Sequence, residues 1–309
     1  MADAPPTAMD PAAPPAAQLR DPADGAALAI ASGPSALAWA GPWIRLNLPL
    51  AVGAGVVLLS LALALAVPWL TSHDPLEIAD ASLSPPSSQY LLGTDQLGRD
   101  VLTRILFAGR SSLSVACLSA ALAFVCGTVI GLVAGYAAGL IDAVMMRILD
   151  VLQAFPALLL AIALVAALGP NLPNLVLTMG LLFMPRFARV ARASTLSVRE
   201  RDYVTAAIGL GVSRARTLYR HVLPNIAAPL IVEASLTVTL AILTEASLSF
   251  LGLGVQPPDP TWGGMIAEST AVMALAPWLA LSPGFAIVFV VVGFTLMGDG
   301  LRDALDPRG

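Results

Sequence analysis

Between Leu46 and Ser72 the chain carries no charged residue. That run exceeds the roughly 20 apolar residues needed to cross the hydrocarbon of a bilayer. It is not alone: Ser111 to Ile141 and Val151 to Pro185 are uncharged as well. Backbone in hydrocarbon must satisfy its own hydrogen bonds, so runs of this length admit a helix and little else. Composition agrees. The 309 residues are 57% hydrophobic and only 12% charged, whereas a soluble surface carries about 25%. The expected fold class is an all-α polytopic membrane protein.

The runs set out six transmembrane helices. The first is expected near about 47–70 and the second near about 112–136. The third uncharged run is too long for one crossing. Gly169-Pro170-Asn171-Leu172-Pro173 breaks it, giving helices near about 147–168 and 173–191. Ile226–Leu251 and Pro283–Leu301 supply the last two. Gly252 to Leu281 holds Pro257, Pro258, Pro260 and Pro277 and reads as a re-entrant or surface loop. Residues 1–42, rich in Ala, Pro and Asp, read as a disordered cytoplasmic tail without the basic-then-apolar order of a signal peptide. Residues 43–110 form an N-terminal segment with the first helix and an outer loop, and 111–309 form the core transmembrane domain.

Arginine counts orient the chain. Arg192, Arg199, Arg201, Arg214, Arg216 and Arg220 lie between helices four and five, with Arg186 and Arg189 at the membrane edge. Arg147, Arg302 and Arg308 fall on the same side. The other side has Arg99, Arg104 and Arg110, diluted by Asp74, Glu77, Asp80, Asp95 and Asp100. Both termini are therefore expected in the cytoplasm.

All 16 basic residues are arginine. Without lysine the chain cannot build a P-loop, whose lysine contacts the β- and γ-phosphates. If ATP drives it, another chain hydrolyses that ATP. Cys117 and Cys126 are nine residues apart, about half a turn out of register, and point opposite ways on a helix. His73 and His221 have no neighbouring ligand pattern. No metal site and no nucleic-acid partner is expected.

The most informative stretch is the cytoplasmic loop 199–225. A helix is expected from Asp202 to Ile208, ended by Gly209 and Gly211. Ser213 is placed to cap a second helix running to His221, with Pro224 at the edge of helix five. Two short helices with small residues between them present a knob that a groove on another protein accepts. A plain positive-inside loop is the alternative.

Ala206-Ala207, then Gly211, then His221-Val222-Leu223-Pro224 resembles the EAA loop of binding-protein-dependent ABC importer permeases. Thr205 stands where that pattern has glutamate. Leu92–Arg104, Asp150–Pro156, Glu245–Gly254 and Gly298–Arg308 are similar to segments of the dipeptide and oligopeptide branch, type C subunit. The resemblance covers about Trp43 to the end. It implies the type I importer permease fold in a bacterial inner membrane. The implied partners are a homologous second permease, two ABC ATPase subunits and an extracytoplasmic binding protein. No cofactor is implied on this chain, since ATP and magnesium would be held by the ATPases. Residues implied at the ATPase contact are Tyr203, Val204, Thr205, Ala206, Ala207, Gly209, Gly211, Ser213, Arg216, Arg220, His221, Leu223, Pro224 and Asn225. The implied cargo is a dipeptide or short oligopeptide; nickel and glutathione importers share these motifs.

Three further features carry expectations. Glu233 and Glu245 lie within helix five, where acids are costly and mark structural or pathway roles. Twelve residues apart, they should not form one site. Arg99, Asp100, Arg104 and Arg110 lie in an outer stretch that reads as an interfacial amphipathic helix; Arg99, Asp100 and Arg104, with Gln256 and Trp262, are candidates for contact with the binding protein. Ser119, Ala123, Gly127, Gly131, Gly135 and Gly139 recur every four residues, which suits close packing within the chain or at a subunit seam. A secondary transporter would show paired broken helices with ion ligands, and a membrane enzyme a clustered acid–base or metal set. The sequence offers neither.

Overall fold

The computed structural model describes residues 47–71, 74–78 and 80–305. Among these, every regular element is helical apart from one isolated antiparallel bridge, Thr94 with Asp100. The expected tail at 1–42 and His73 lie outside the described residues.

Helix α1 (Leu48–Leu70) matches its uncharged run. Helix α2 (Val101–Ala137) starts eleven residues before the expected boundary at 112. Asp100 starts it as an N-cap, its carboxylate accepting from the Thr103 amide at 3.0 Å and the Thr103 hydroxyl at 2.6 Å. The interfacial helix expected around Arg99–Arg110 is therefore the first turns of a long helix packed into the protein.

Helix three is corrected more strongly. It is two helices, α3 (Gly139–Gln153) and α4 (Ala157–Leu168), bent by 87°. Pro156 is the cause. Proline disfavours helical backbone at the residue before it and has no N–H to donate. Helix α5 (Leu172–Arg199) follows, capped by the Asn171 side chain, and runs well past the expected end near 191.

Helix α6 (Asp202–Gly209) and helix α7 (Arg214–Thr217) come next. From α7 the chain widens into a π turn (Leu218–Val222), tightens into a 3₁₀ turn (Leu223–Ile226) and continues as helix α8 (Ala227–Phe250). Pro224 explains the change of pitch: it has no N–H and would clash with the carbonyl four residues back. The Asn225 side chain donates to the His221 carbonyl at 2.7 Å.

The 252–281 segment is not a bare loop. It contains helix α9 (Trp262–Ser269), packed against α2, α8 and the last helix, α10 (Trp278–Leu305). Four stretches are long and apolar enough to cross a membrane: α1, α2, Arg214–Phe250 and α10. The bent pair α3–α4 makes a fifth if it counts as one span. Helix α5 has the length, with 28 residues, but carries Arg186, Arg189, Arg192 and Arg199.

The most extensive helix pair is α2 with α5. The small residues of α2 sit in that seam. A Cβ on Gly127, Gly131 or Gly135 would fall on the carbonyl oxygen of Met184, Ala188 or Arg192. Their four-residue spacing thus matches successive turns of α5 and serves packing within the chain. The second seam, α1 with α10, brings Gly53 and Gly293 into similarly close contact.

Gly131→Leu should destabilise the chain by about 3 kcal/mol or more, as overpacking of a tight core does. The check is thermal unfolding of the purified protein in detergent. Gly55→Leu, where a Cβ would meet nothing within 4 Å, should behave as wild type.

Candidate functional site

Two residues past the end of helix α6 stands Gly211, whose φ of +80° is a backbone conformation glycine adopts without strain. The Gly211 amide donates to the Ile208 carbonyl and the Val212 amide to that of Ala207, closing the helix end. Ser213 holds the N-cap position of α7, but its side chain makes no capping bond. Its carbonyl instead accepts from the Thr217 amide at 2.9 Å and the Thr217 hydroxyl at 3.2 Å.

One face of this knob is anchored. Val204, Thr217, Val222 and Ile226 are fully buried, and Ala207 nearly so. The opposite face is open and apolar: Tyr203, Ile208, Leu210 and Tyr219 are exposed, Leu210 at 85% and Tyr219 at 77%. Arg201, Arg214, Arg216 and Arg220 are exposed beside them. Of the residues expected at a partner, Thr205, Ala206, Gly209, Gly211, Ser213, Pro224 and Asn225 are also exposed, and His221 and Leu223 are half-buried. Val204 and Ala207 act from beneath. An exposed apolar crown with a basic rim is the form of a protein-binding surface.

A second cluster lies at the other end of α2. Arg104 is 3% exposed. Its Nη1 donates to Asp95 and, at 3.0 Å, to Glu268 Oε2 on α9. Arg99 Nε donates to Asp95 Oδ2 at 2.7 Å. The Asp95 carboxyl also accepts from the amides of Leu97 and Arg99. Burial pushes the Asp95 pKa up, but the Arg99 amide, the Arg104 charge, the Leu97 amide and the Arg99 charge outweigh it and hold the group below its ordinary value. The cluster borders a cavity of about 340 Å³.

Of the residues expected to meet a binding protein, Asp100, Arg104 and Trp262 are buried. That expectation is corrected for these three: Trp262 Nε1 donates to the Ile105 carbonyl at 3.1 Å and locks α9 onto α2. Gln256 is exposed, and the Arg99 side chain is 15% exposed. Glu268 was not singled out from the sequence, because its partner Arg104 is 164 positions away.

The two intramembrane acids have separate partners, as their spacing implied. Glu245 is fully buried. It accepts from the Ser249 hydroxyl at 2.6 Å and lies beside Ser112 of α2. Ser112 in turn accepts from the Trp262 amide at 3.4 Å, so Glu245 reaches α9 through that serine. Glu233 pairs with Arg186 of α5 at 2.7 Å. Two more pairs join α5 to α3: Arg189 with Asp150 at 2.9 Å, and Arg192, bidentate, with Asp142. No group of three or more metal-ligating side chains occurs among the described residues.

Residues 127–308 match the family described as binding-protein-dependent transport system inner membrane component. The chain is 43% identical to a dipeptide transport system permease protein of Alkalihalophilus pseudofirmus, over 83% of this chain and 85% of that protein. It is 43% identical to a di/tripeptide transport system permease protein of Pseudomonas aeruginosa, over 82% and 86%. It is also 43% identical to a glutathione transport system permease protein of Pectobacterium atrosepticum, over 87% and 91%.

Arg104→Met removes one of the two guanidinium groups on Asp95, which keeps Arg99 and two backbone amides, and should cost about 2 kcal/mol, the range for a hydrogen bond to a charged group. Because the Asp95 value is lowered by folding, its contribution is present above 3.8 and is lost as pH falls below it. Thermal unfolding measured from pH 7 to pH 3 should show the acid loss in wild type and a smaller one in Asp95→Asn.

Proposed function

The chain belongs to the family of binding-protein-dependent transport system inner membrane components, and from that premise we propose that it is the permease subunit of an ATP-driven peptide importer. Peptide cargo is supported by the dipeptide and di/tripeptide permeases it is similar to. The similar glutathione permease favours a second reading, glutathione, which is itself a small modified peptide. The chain supplies the passage, not the chemistry: with no lysine it has no P-loop. ATP and magnesium are held by two partner ATPase subunits. A homologous permease completes the passage, and an extracytoplasmic binding protein delivers cargo.

In this reading the chain crosses a bacterial cytoplasmic membrane six times, in the type I importer permease fold, with α5 as one crossing and the bent α3–α4 pair as another. Both termini and the 199–225 loop face the cytoplasm, as the arginine distribution requires. The observation that carries the proposal is the knob's open crown, Tyr203, Ile208, Leu210 and Tyr219. An apolar crown facing water calls for a cover, and the ATPase is the cover it fits. The run from Arg214 through Phe250 is continuous, so a push at the knob moves α8 as a lever. The helices then expose the passage to one side or the other.

A glutamate at Gly211 places a charge in the docking turn. In the reconstituted transporter, Gly211→Glu should lower binding-protein-stimulated ATP hydrolysis at least about tenfold, equal to ~1.4 kcal/mol lost at the contact. Gly211→Asn, which tolerates the left-handed backbone, should retain coupling. Normal stimulation in the glutamate variant contradicts docking at this turn.

A further inference from the structure

The Arg186–Glu233 pair stands apart from the other ionic contacts of the protein. Arg186 lies 14 residues into α5, and Glu233 lies 6 residues into α8, from 186 − 172 and 233 − 227. At 1.5 Å per residue these are about 21 Å from one end of the crossing and about 9 Å from the other. Together they make up the roughly 30 Å of a hydrocarbon core. In the six-crossing reading, two helices running opposite ways thus put the pair at one depth, about 9 Å inside the cytoplasmic edge of the bilayer.

At that depth the Arg186 side chain is nevertheless 40% exposed, and Glu233 13%. A guanidinium that far from water does not face lipid; it faces protein or a water-filled space. Its bonding is also incomplete. Nε donates to Glu233 Oε1 at 2.7 Å, and that oxygen also accepts from the Thr237 hydroxyl at 3.4 Å. Among the described residues the two terminal nitrogens of Arg186 have no hydrogen-bond acceptor, and Glu233 Oε2 has no donor. A seam that brought no polar group to them would leave these groups unsatisfied, at a cost for each. In an aqueous passage water fills them, and a solute with matching groups displaces that water.

We propose that Arg186 and Glu233 line the passage and form a station for the charged ends of a zwitterionic peptide. The free fork of Arg186 suits a carboxylate in two-point contact. The free oxygen of Glu233 suits an ammonium group. The paired charges keep the station neutral when empty, so cargo exchanges one set of charge-assisted bonds for another and is not held tightly. This rests on the peptide-importer reading above.

The test uses the complete transporter with its binding protein in proteoliposomes, and L-alanyl-L-alanine as the probe. Arg186→Gln and Glu233→Gln should each lower dialanine uptake about tenfold, the loss of one charge-assisted hydrogen bond, while the partner subunits still co-purify. The swap Arg186→Glu with Glu233→Arg keeps a pair and should recover part of that loss. Water access is read separately. With Cys117→Ser and Cys126→Ser as background, Arg186→Cys should react with a membrane-impermeant cationic thiosulfonate, and Leu65→Cys on the exposed apolar side of α1 should not. No reaction at position 186 overturns the proposal, because the pair is then sealed in a seam. Reaction there with unchanged uptake in both glutamine variants overturns it as well. A wild-type transporter that takes up no dialanine, although the binding protein stimulates its ATP hydrolysis, overturns the peptide reading and this station with it.

Discussion

A guanidinium packed between helices needs partners for its charge, and α5 carries four, Arg186, Arg189, Arg192 and Arg199. The architecture follows from how each is held. Arg186 reaches Glu233 on α8, Arg189 and Arg192 reach Asp150 and Asp142 on α3, and Arg199 donates to the carbonyls of Gly135 and Tyr136 on α2. One helix is thus pinned to three others by its charges. The Arg199 bonds go to backbone of α2, and α2 and α5 lie nearly backbone to backbone, which Gly127, Gly131 and Gly135 permit. Between apolar helices in lipid there is no water to expel, so close contact and charge pairing replace the hydrophobic effect as the source of cohesion.

The same economy governs the two ends. At the N-terminal end of α2, Arg104 draws Asp95 and Glu268 together, and Trp262 fastens α9 to α2. At the opposite end, Val204, Thr217, Val222 and Ile226 root the knob, leaving Leu210 and Tyr219 uncovered. The rooted side makes the knob move with the helices beneath it. The uncovered side gives a partner something to grip. A stretch held at one face and open at the other is suited to passing force, which is the task that an ATP-driven permease requires of it.

Much of this was legible from residue order. An uncharged run placed α1 to within a residue or two, because hydrocarbon excludes charge so strongly that the boundaries are chemical, and α8 was placed as closely by an apolar stretch whose only charged residues are Glu233 and Glu245. Gly211 just past the end of α6 followed from glycine's tolerance of positive φ. Other features followed from contacts that sequence spacing does not reveal. The start of α2 was placed too late because Arg104 reads as a surface charge until Asp95 and Glu268 neutralise it, and Glu268 is 164 residues on. The break at Pro156 was hidden inside an apolar run, where proline changes direction without changing polarity. The partners of Arg186, Arg189 and Arg192 lie 47, 39 and 50 positions away. Their one sequence signal is that arginines and acids occur in segments where either alone would be costly.

In the proposed transporter a separate ATPase engages this chain at the Asp202–Ile226 knob. Leu210, 85% exposed at the tip, is the position to interrogate. A photo-reactive amino acid placed there in the assembled transporter should give an adduct with the ATPase subunit upon irradiation, and the yield should change when ATP is bound. Adducts confined to lipid or to the second permease, with the ATPase unlabelled, would contradict the account.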